Sequence, residues 1–312
     1  MKKIPVLLTF DDNMSLPAAI CISSLLMSAR PDTFYDFFVF YSGKQPGITG
    51  FEKIREAYPN FSISFRSVGN VFNSSYEIRG ITKATYFRLL APALIPEYDK
   101  VIYADTDILF RNDLGDIWDM EMGDNYLAAL YAPSLNLEKE GLAHLCEIGV
   151  EPGYYFMAGF LLMNLKKIRE DGLVDVFVGQ ASDNNYKFQD QDIVNIVCKG
   201  RILPLPRSVA MGVADFMYME LYPDRLPDHF VNSGADEARN HSNIHYNGVK
   251  PWKGLCPNFD IWWEYYRKSP VYDPLFYFKF YYNNLEPLDK LSLSKRLKIL
   301  ARYFIHGRKK DI

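Results

Sequence analysis

Two aspartates one residue apart, Asp105 and Asp107 in KVIYADTDILF, close an apolar run, and a second polar group lies far downstream in HYNGVKPW: His245, Gly248 and Lys250. Carboxylate oxygens at alternate positions of a turn suit a hard divalent cation, Mn2+ or Mg2+, which completes its shell with phosphate oxygens and water. A neutral imidazole can coordinate beside them, a glycine lets backbone approach an anion closely, and a lysine brings a point charge to phosphate. The flanks VIYA and ILF are strongly apolar, so both acids sit close to a core, where an unpaired carboxylate is costly. A cation carrying a nucleotide diphosphate answers that cost. A D-x-D string alone is more often a solvated turn, and His-x-x-Gly alone an ordinary loop; it is their company that favours the metal and phosphate reading.

Those residues must be held by something, and the first two hundred residues alternate apolar runs with helical patterns: IPVLLTF, Leu16 to Ala29, DFFVFYSG, Ile48 to Ala57, FSISFRSV, then KVIYA. That alternation is the βαβ rhythm of a mostly parallel, Rossmann-like sheet with helices on both faces. It puts the double Asp at the carboxyl end of a strand, the edge where open α/β sheets bind ligands. In ITKATYFRLLAP, Thr82 is placed to cap a short helix that Pro92 stops. YYFMAGFLLMNL reads as a strand region, FQDQDIVNIVCKG as an amphipathic helix ending at Gly200, and GRILPLP as a short strand. Residues from about Ser208 to Arg239 are loop-rich, and His229 and His241 read as surface residues.

The chain has 312 residues, 48% of them hydrophobic and 15% aromatic, with 22 Phe and 22 Tyr, ample material for a core. A net charge of -3 leaves no basic field for nucleic acid. Cys21, Cys146, Cys198 and Cys256 form no CxxC pair and read as reduced core thiols of a cytosolic protein. The uncharged stretch Met14 to Ala29 follows DD and is interrupted by Pro17, so it reads as the first helix rather than a signal segment. The expected organisation is a transferase-type domain over 1–260 and an aromatic, basic helical extension over 261–312. From Lys290 to Ile312 there are eight Lys or Arg against one Asp, with Leu293, Leu297, Leu300 and Phe304 at helical spacing. A basic amphipathic helix of this kind suits peripheral contact with the inner face of a membrane as well as packing on the body.

KVIYADTDILF, AGFLLMNL, FQDQDIVN and HYNGVKPW, in that order and spacing, resemble glycosyltransferase family 8, over about Ile4 to Trp252. The resemblance implies a GT-A fold, a UDP-sugar donor, Mn2+, and retaining transfer of galactose or glucose to a cell-envelope glycan or a lipid-linked acceptor. It implies Asp105, Asp107 and His245 as metal ligands, the DxD motif with its middle residue Thr106 in the donor site, and Gly248 and Lys250 as diphosphate contacts. Thr9, Asp11 and Asn13 in LLTFDDN match uridine contacts, Ile81 a nucleoside-packing position, and Arg88 a residue lying over the donor. Asp190 and Gln191 match positions beside the anomeric carbon, and Asp192 is a further candidate at the same edge. The pattern departs at Met157, where relatives carry an amide, and at Ala132, where relatives often carry an Asp; the HYNGVKPW segment is one residue short of the commonest form.

Two other classes compete. Met157 and Ala132 are what a sugar-nucleotide-binding protein with weak or lost transfer would show. Haloacid-dehalogenase phosphatases use D-x-D-x-[TV], but here the fifth residue is Leu109 and the motif falls a third of the way along the chain. GDIWD follows too soon to be their distal metal motif.

Overall fold

The computed structural model describes residues 1–78, 82–212, 215, 218, 223–227, 241–286 and 290–306. Ile81 and His229 lie outside them. The strands are β1 (Lys2–Thr9), β2 (Thr33–Tyr41), β3 (Phe61–Ser67), β4 (Lys100–Ala104), β5 (Ile108–Leu109), β6 (Leu127–Tyr131), β7 (Phe156–Asn164), β8 (Ile202–Pro204), β9 (Ala210–Gly212) and β10 (Asn243–His245). Seven form the central sheet, ordered β3-β2-β1-β4-β7-β6-β8, and β5-β10-β9 form a small second sheet. The large sheet is parallel except that β7 runs against both of its neighbours, β4 and β6.

Alternation along β1 sets the layers. Ile4, Val6 and Leu8 join a core that surrounds the helix Ser15–Met27, while Leu7 turns to the opposite core, and all four are fully buried. The helix Ser15–Met27 is buried from Pro17 through Leu26, so it is apolar all round, as an element inside a core should be. On the other face lie the helices Leu165–Glu170, Leu173–Asp183 and Gln189–Val197. The expected mostly parallel α/β sheet with helices on both faces is what the chain forms.

Three local expectations are corrected. Thr82 makes no side-chain capping bond, Lys83–Leu90 is a 3-10 run, and Pro92 opens the next helix, Ala91–Leu94, instead of stopping one. Proline lacks the N–H that a first helical turn leaves unpaired anyway, so it begins helices readily. The helix in FQDQDIVNIVCKG ends at Val197, and Gly200 takes the left-handed backbone at φ +74° just beyond. All four cysteines are free, but only Cys21 and Cys198 are buried; Cys146 is exposed and Cys256 half-buried. His241 is exposed, as expected.

After the small sheet, the helix Phe259–Lys268 buries Trp262, Trp263 and Tyr266 in the same core as Ser15–Met27. The last helix, Leu293–His306, differs: Leu293, Leu297 and Leu300 are 73%, 56% and 51% exposed. Among the described residues no helix is long and apolar enough to cross a membrane.

Candidate active site

Strand order reverses at β1, which pairs with β2 on one side and β4 on the other. The crevice at the carboxyl ends of β1 and β4 is the place such sheets offer to ligands. Beyond Ala104 the chain turns: the Asp105 N–H donates to Gly159 O at 2.8 Å and Ile108 N–H to Asp105 O at 3.1 Å. β5 then pairs antiparallel with β10, setting His245 opposite Ile108, and the Tyr246 N–H donates to Asp107 O at 3.1 Å. That pairing is how a distant imidazole reaches the two acids.

One ligand atom from each of Asp105, Asp107 and His245 lies within 4.8 Å of the others. His245 Nε2 is 3.2 Å from Asp107 Oδ1 and 3.6 Å from Asp105 Oδ2. Asp107 Oδ1 and both ring nitrogens of His245 are buried and make no hydrogen bond. Buried polar atoms left this way call for a partner. Gly159 forms the floor: a Cβ there would come 2.2 Å from His245 Cε1 and 2.8 Å from Asp105 Oδ2. Two carboxylates and an imidazole on a floor that only glycine fits are a donor set suited to a divalent cation. Burial works against a charged His245, but the Asp107 and Asp105 carboxylates outweigh it and push its pKa up to about 9.

Cationic side chains surround the acids. Arg88, buried, stacks over the Tyr103 ring at 3.9 Å and places Nη2 3.1 Å from Asp105 Oδ1 and Nε 3.1 Å from Asp190 Oδ2. It also donates to Ala158 O, while the Tyr103 hydroxyl donates to Asp105. Burial opposes ionisation of Asp105, yet Arg88, His245 and Tyr103 hold its carboxyl below the usual range. Asp107 is likewise lowered against burial, by His245 and Lys250. Lys250 donates to Asp107 and, at 2.6 Å, to Tyr246 O. Asp190 differs: burial lifts its pKa to about 6, although Arg88 and the Thr85 hydroxyl pull the other way.

A cavity of about 770 Å3 opens over this cluster. Thr9, Asp11, Arg88, Asp105, Thr106, Asp107, Asp190, Gln191, His245 and Lys250 all line it, as do Ala132 and Met157. Asn13 and Gly248 are exposed and not among its lining residues. Asp11 spends one oxygen on the Asn13 N–H, at 2.9 Å. Asp192 faces elsewhere: it accepts from the Tyr155 hydroxyl at 2.6 Å, lies 2.9 Å from His144 Nε2, and accepts from the Phe188 N–H at 2.9 Å. Two residues along a helix turn a side chain about 200° around the axis, so Asp190 and Asp192 point apart.

Sequence reading missed Thr85, Tyr103 and Gly159. A glycine inside an otherwise bulky strand is the one of these that carried a signal, of close approach by another group. Gln189 was missed too. It is buried and holds the left-handed backbone at φ +50° immediately before Asp190 and Gln191. A non-glycine residue there is strained, a state that persists where surrounding structure enforces it.

The model of glycosyl transferase family 8 matches residues 5–256. The chain belongs to glycosyltransferase family 8. Its similarity to a putative glycosyltransferase of Haemophilus influenzae is 36% identity over 124 residues, 39% of this chain and 37% of that protein. A lipopolysaccharide 1,2-glucosyltransferase of Escherichia coli is 29% identical over 131 residues, 41% of this chain and 38% of that protein. These matched stretches therefore span well under half of either relative. Among solved structures, galactosyltransferase LgtC, crystallised with donor and acceptor sugar analogues, superposes with TM-score 0.68 at 28% identity, covering 84% of this chain and 95% of that one. The fold is GT-A.

Proposed function

We propose that this family 8 chain is a retaining, metal-dependent hexosyltransferase that moves galactose or glucose from a UDP-sugar to a cell-envelope glycan or glycolipid acceptor. One observation carries the reading: Asp105, Asp107 and His245 converge within 4.8 Å on a cavity that Thr9, Asp11, Asp190 and Gln191 also line. The named activities of the lipopolysaccharide glucosyltransferase and of LgtC support it.

Thr9 and Asp11 bind the uridine, Asp11 as an acceptor for the uracil N–H. Asp105, Asp107 and His245 would hold Mn2+ or Mg2+, with Thr106 in the turn between the acids. A divalent cation bound there supplies positive charge to the departing diphosphate. Lys250, which lines the cavity and donates to Asp107, would pair with the diphosphate, and Gly248, exposed two residues before it, would offer backbone to the same group. In transfer, the bond from the anomeric carbon to phosphate oxygen breaks, its electron pair leaving with the diphosphate. The acceptor oxygen bonds on the same face, and its proton passes to the departing phosphate oxygen. Asp190 and the Gln191 amide stabilise the oxocarbenium-like sugar. Arg88 holds Asp105 and Asp190 in mutual register. By the family resemblance Asn13, exposed beside Asp11, is a further nucleoside contact, and Ile81, outside the described residues, is assigned to the nucleoside on that resemblance alone.

We assign residues 1–260 to the transferase unit and, with the helix Phe259–Lys268 spanning the boundary, 261–312 to an extension. Its first helix is tied into the core by Trp262, Trp263 and Tyr266, and its last presents leucines and basic residues to the inner membrane leaflet. Mn2+-dependent hydrolysis of UDP-glucose or UDP-galactose, lost in Asp105→Ala and Asp107→Ala, tests the reading. Tight UDP binding with no turnover of any UDP-sugar would reduce the protein to a sugar-nucleotide binder; phosphate release from simple phosphoesters without UDP affinity would make it a phosphatase.

A further inference from the structure

The sugar end of the cavity has unusual chemistry for a plain hexose. Such a sugar presents a hydroxyl on nearly every carbon, and each needs a partner when buried. Here the wall is Ala132, Leu135 and Met157, which are 3%, 9% and 9% exposed. They are the open edge of an apolar cluster with Leu145, Val150 and Tyr155, and Phe188 packs on it. The wall is placed by β7: Met157 lies two residues before Gly159, and the next N–H, of Ala158, donates to Gln191 Oε1 at 3.1 Å.

Besides the Gln191 amide, which bonds the Ala158 N–H and the Tyr155 hydroxyl, a second side-chain amide stands at this wall. Asn247, two residues after His245, brings Nδ2 to 3.9 Å from Met157 Sδ. It can lie there because it passes over Gly212, where a Cβ would come within 2.9 Å of Nδ2. A thioether is a weak acceptor, so this contact satisfies little of the amide's donor capacity. An apolar surface with a primary amide at its edge matches a methyl group attached to an amide carbonyl.

We infer that the donor's sugar is an acetamido hexose, its acetyl methyl seated on Met157, Leu135 and Ala132 and its amide paired with Asn247. This rests on the UDP-sugar reading above and departs from it in one respect, replacing plain glucose or galactose by the N-acetylamino counterpart. A 6-deoxyhexose would use the apolar wall but make no bond to the exposed Asn247 amide, and a plain hexose would set hydroxyls against carbon. Asn247 and Met157 are specificity-determining; the bonds made and broken in transfer are unchanged.

The test is calorimetric binding and hydrolysis by the full chain with Mn2+, using UDP, UDP-glucose, UDP-galactose, their two N-acetylamino counterparts and a UDP-6-deoxyhexose. One acetamido donor is expected to bind roughly tenfold tighter than its plain counterpart, the scale of one well-buried methyl plus a paired amide. Asn247→Ala should shrink that ratio, and Met157→Asn combined with Ala132→Asp should reverse it. UDP affinity reports whether each variant is folded. Plain or 6-deoxy donors binding as well as the acetamido donors, while UDP binds, would overturn the inference alone. Absence of UDP binding in the unaltered chain would overturn the parent reading and this one together.

Discussion

Asp190 Oδ2 lies 3.1 Å from Arg88 Nε, and both side chains are almost wholly buried. Burial nevertheless dominates, raising Asp190 from 3.8 to about 6. A folded value above the unfolded one means the fold keeps a proton that the unfolded chain releases. The stabilisation is complete below pH 3.8 and is lost as pH rises to about 6. Near neutral pH the ionised group then costs roughly 3 kcal/mol relative to an ordinary carboxylate. Asp190→Asn is expected to raise the urea midpoint near neutral pH, with the gain fading toward about pH 4, while UDP-sugar hydrolysis drops. An equal shift at both pH values would contradict the buried-proton account.

Mn2+ added to chelator-stripped protein should raise Tm, by the equivalent of about 2.7 kcal/mol at a hundredfold excess over Kd. Asp105→Asn, Asp107→Asn and His245→Gln should each weaken Mn2+ binding by at least about tenfold, read as free Mn2+ by electron paramagnetic resonance. Unchanged affinity in all three would place the cation elsewhere.

Gly159→Ala should act on the metal site without touching a ligand. Its new Cβ would stand 2.2 Å from His245 Cε1, so the imidazole or the strand must shift. Mn2+ affinity is expected to fall as far as in His245→Gln, with a stability loss of about 1–3 kcal/mol from overpacking. Gly179→Ala is the control: it sits in the helix Leu173–Asp183 with nothing within 4 Å of the added carbon. That change should stabilise by up to about 1 kcal/mol, measured by the same melts.

Leu293, Leu297 and Leu300 share a stripe of the last helix and are more than half exposed. Changing all three to Ser is expected to reduce co-sedimentation with anionic vesicles severalfold, as deletion of residues 290–312 should. Neutral vesicles should bind less in every case. If the triple variant sediments like the unaltered chain, the membrane contact is not made through this helix.

The sheet was legible because β1, β2 and β4 are buried on both faces, which writes a continuous apolar run into the sequence. The D-x-D turn was legible because its acids interrupt such a run. Pro92 was misread because a helix start and a helix stop look alike at a proline. Arg88 is the deeper case: its sequence context shows a cation in a helical segment, but its fork joining Asp105, Asp190 and Ala158 O depends on three segments meeting. Asp192 shows the converse, a residue whose spacing promised the cavity and whose helical phase delivered it to His144 and Tyr155.

β7 is the strand that runs backwards in the sheet, so its beginning, Phe156 to Gly159, meets the crevice where its parallel neighbours present their ends. The cavity lining thus comes from separable stretches of chain: Thr9, Asp105 and Asp107 from the exits of β1 and β4, Met157 from the entrance to β7, and Ala132 and Leu135 from the segment after β6. Exchanging residues 132–157 between relatives would alter that part of the lining while Thr9, Asp105, Asp107 and Gly159 stay as they are.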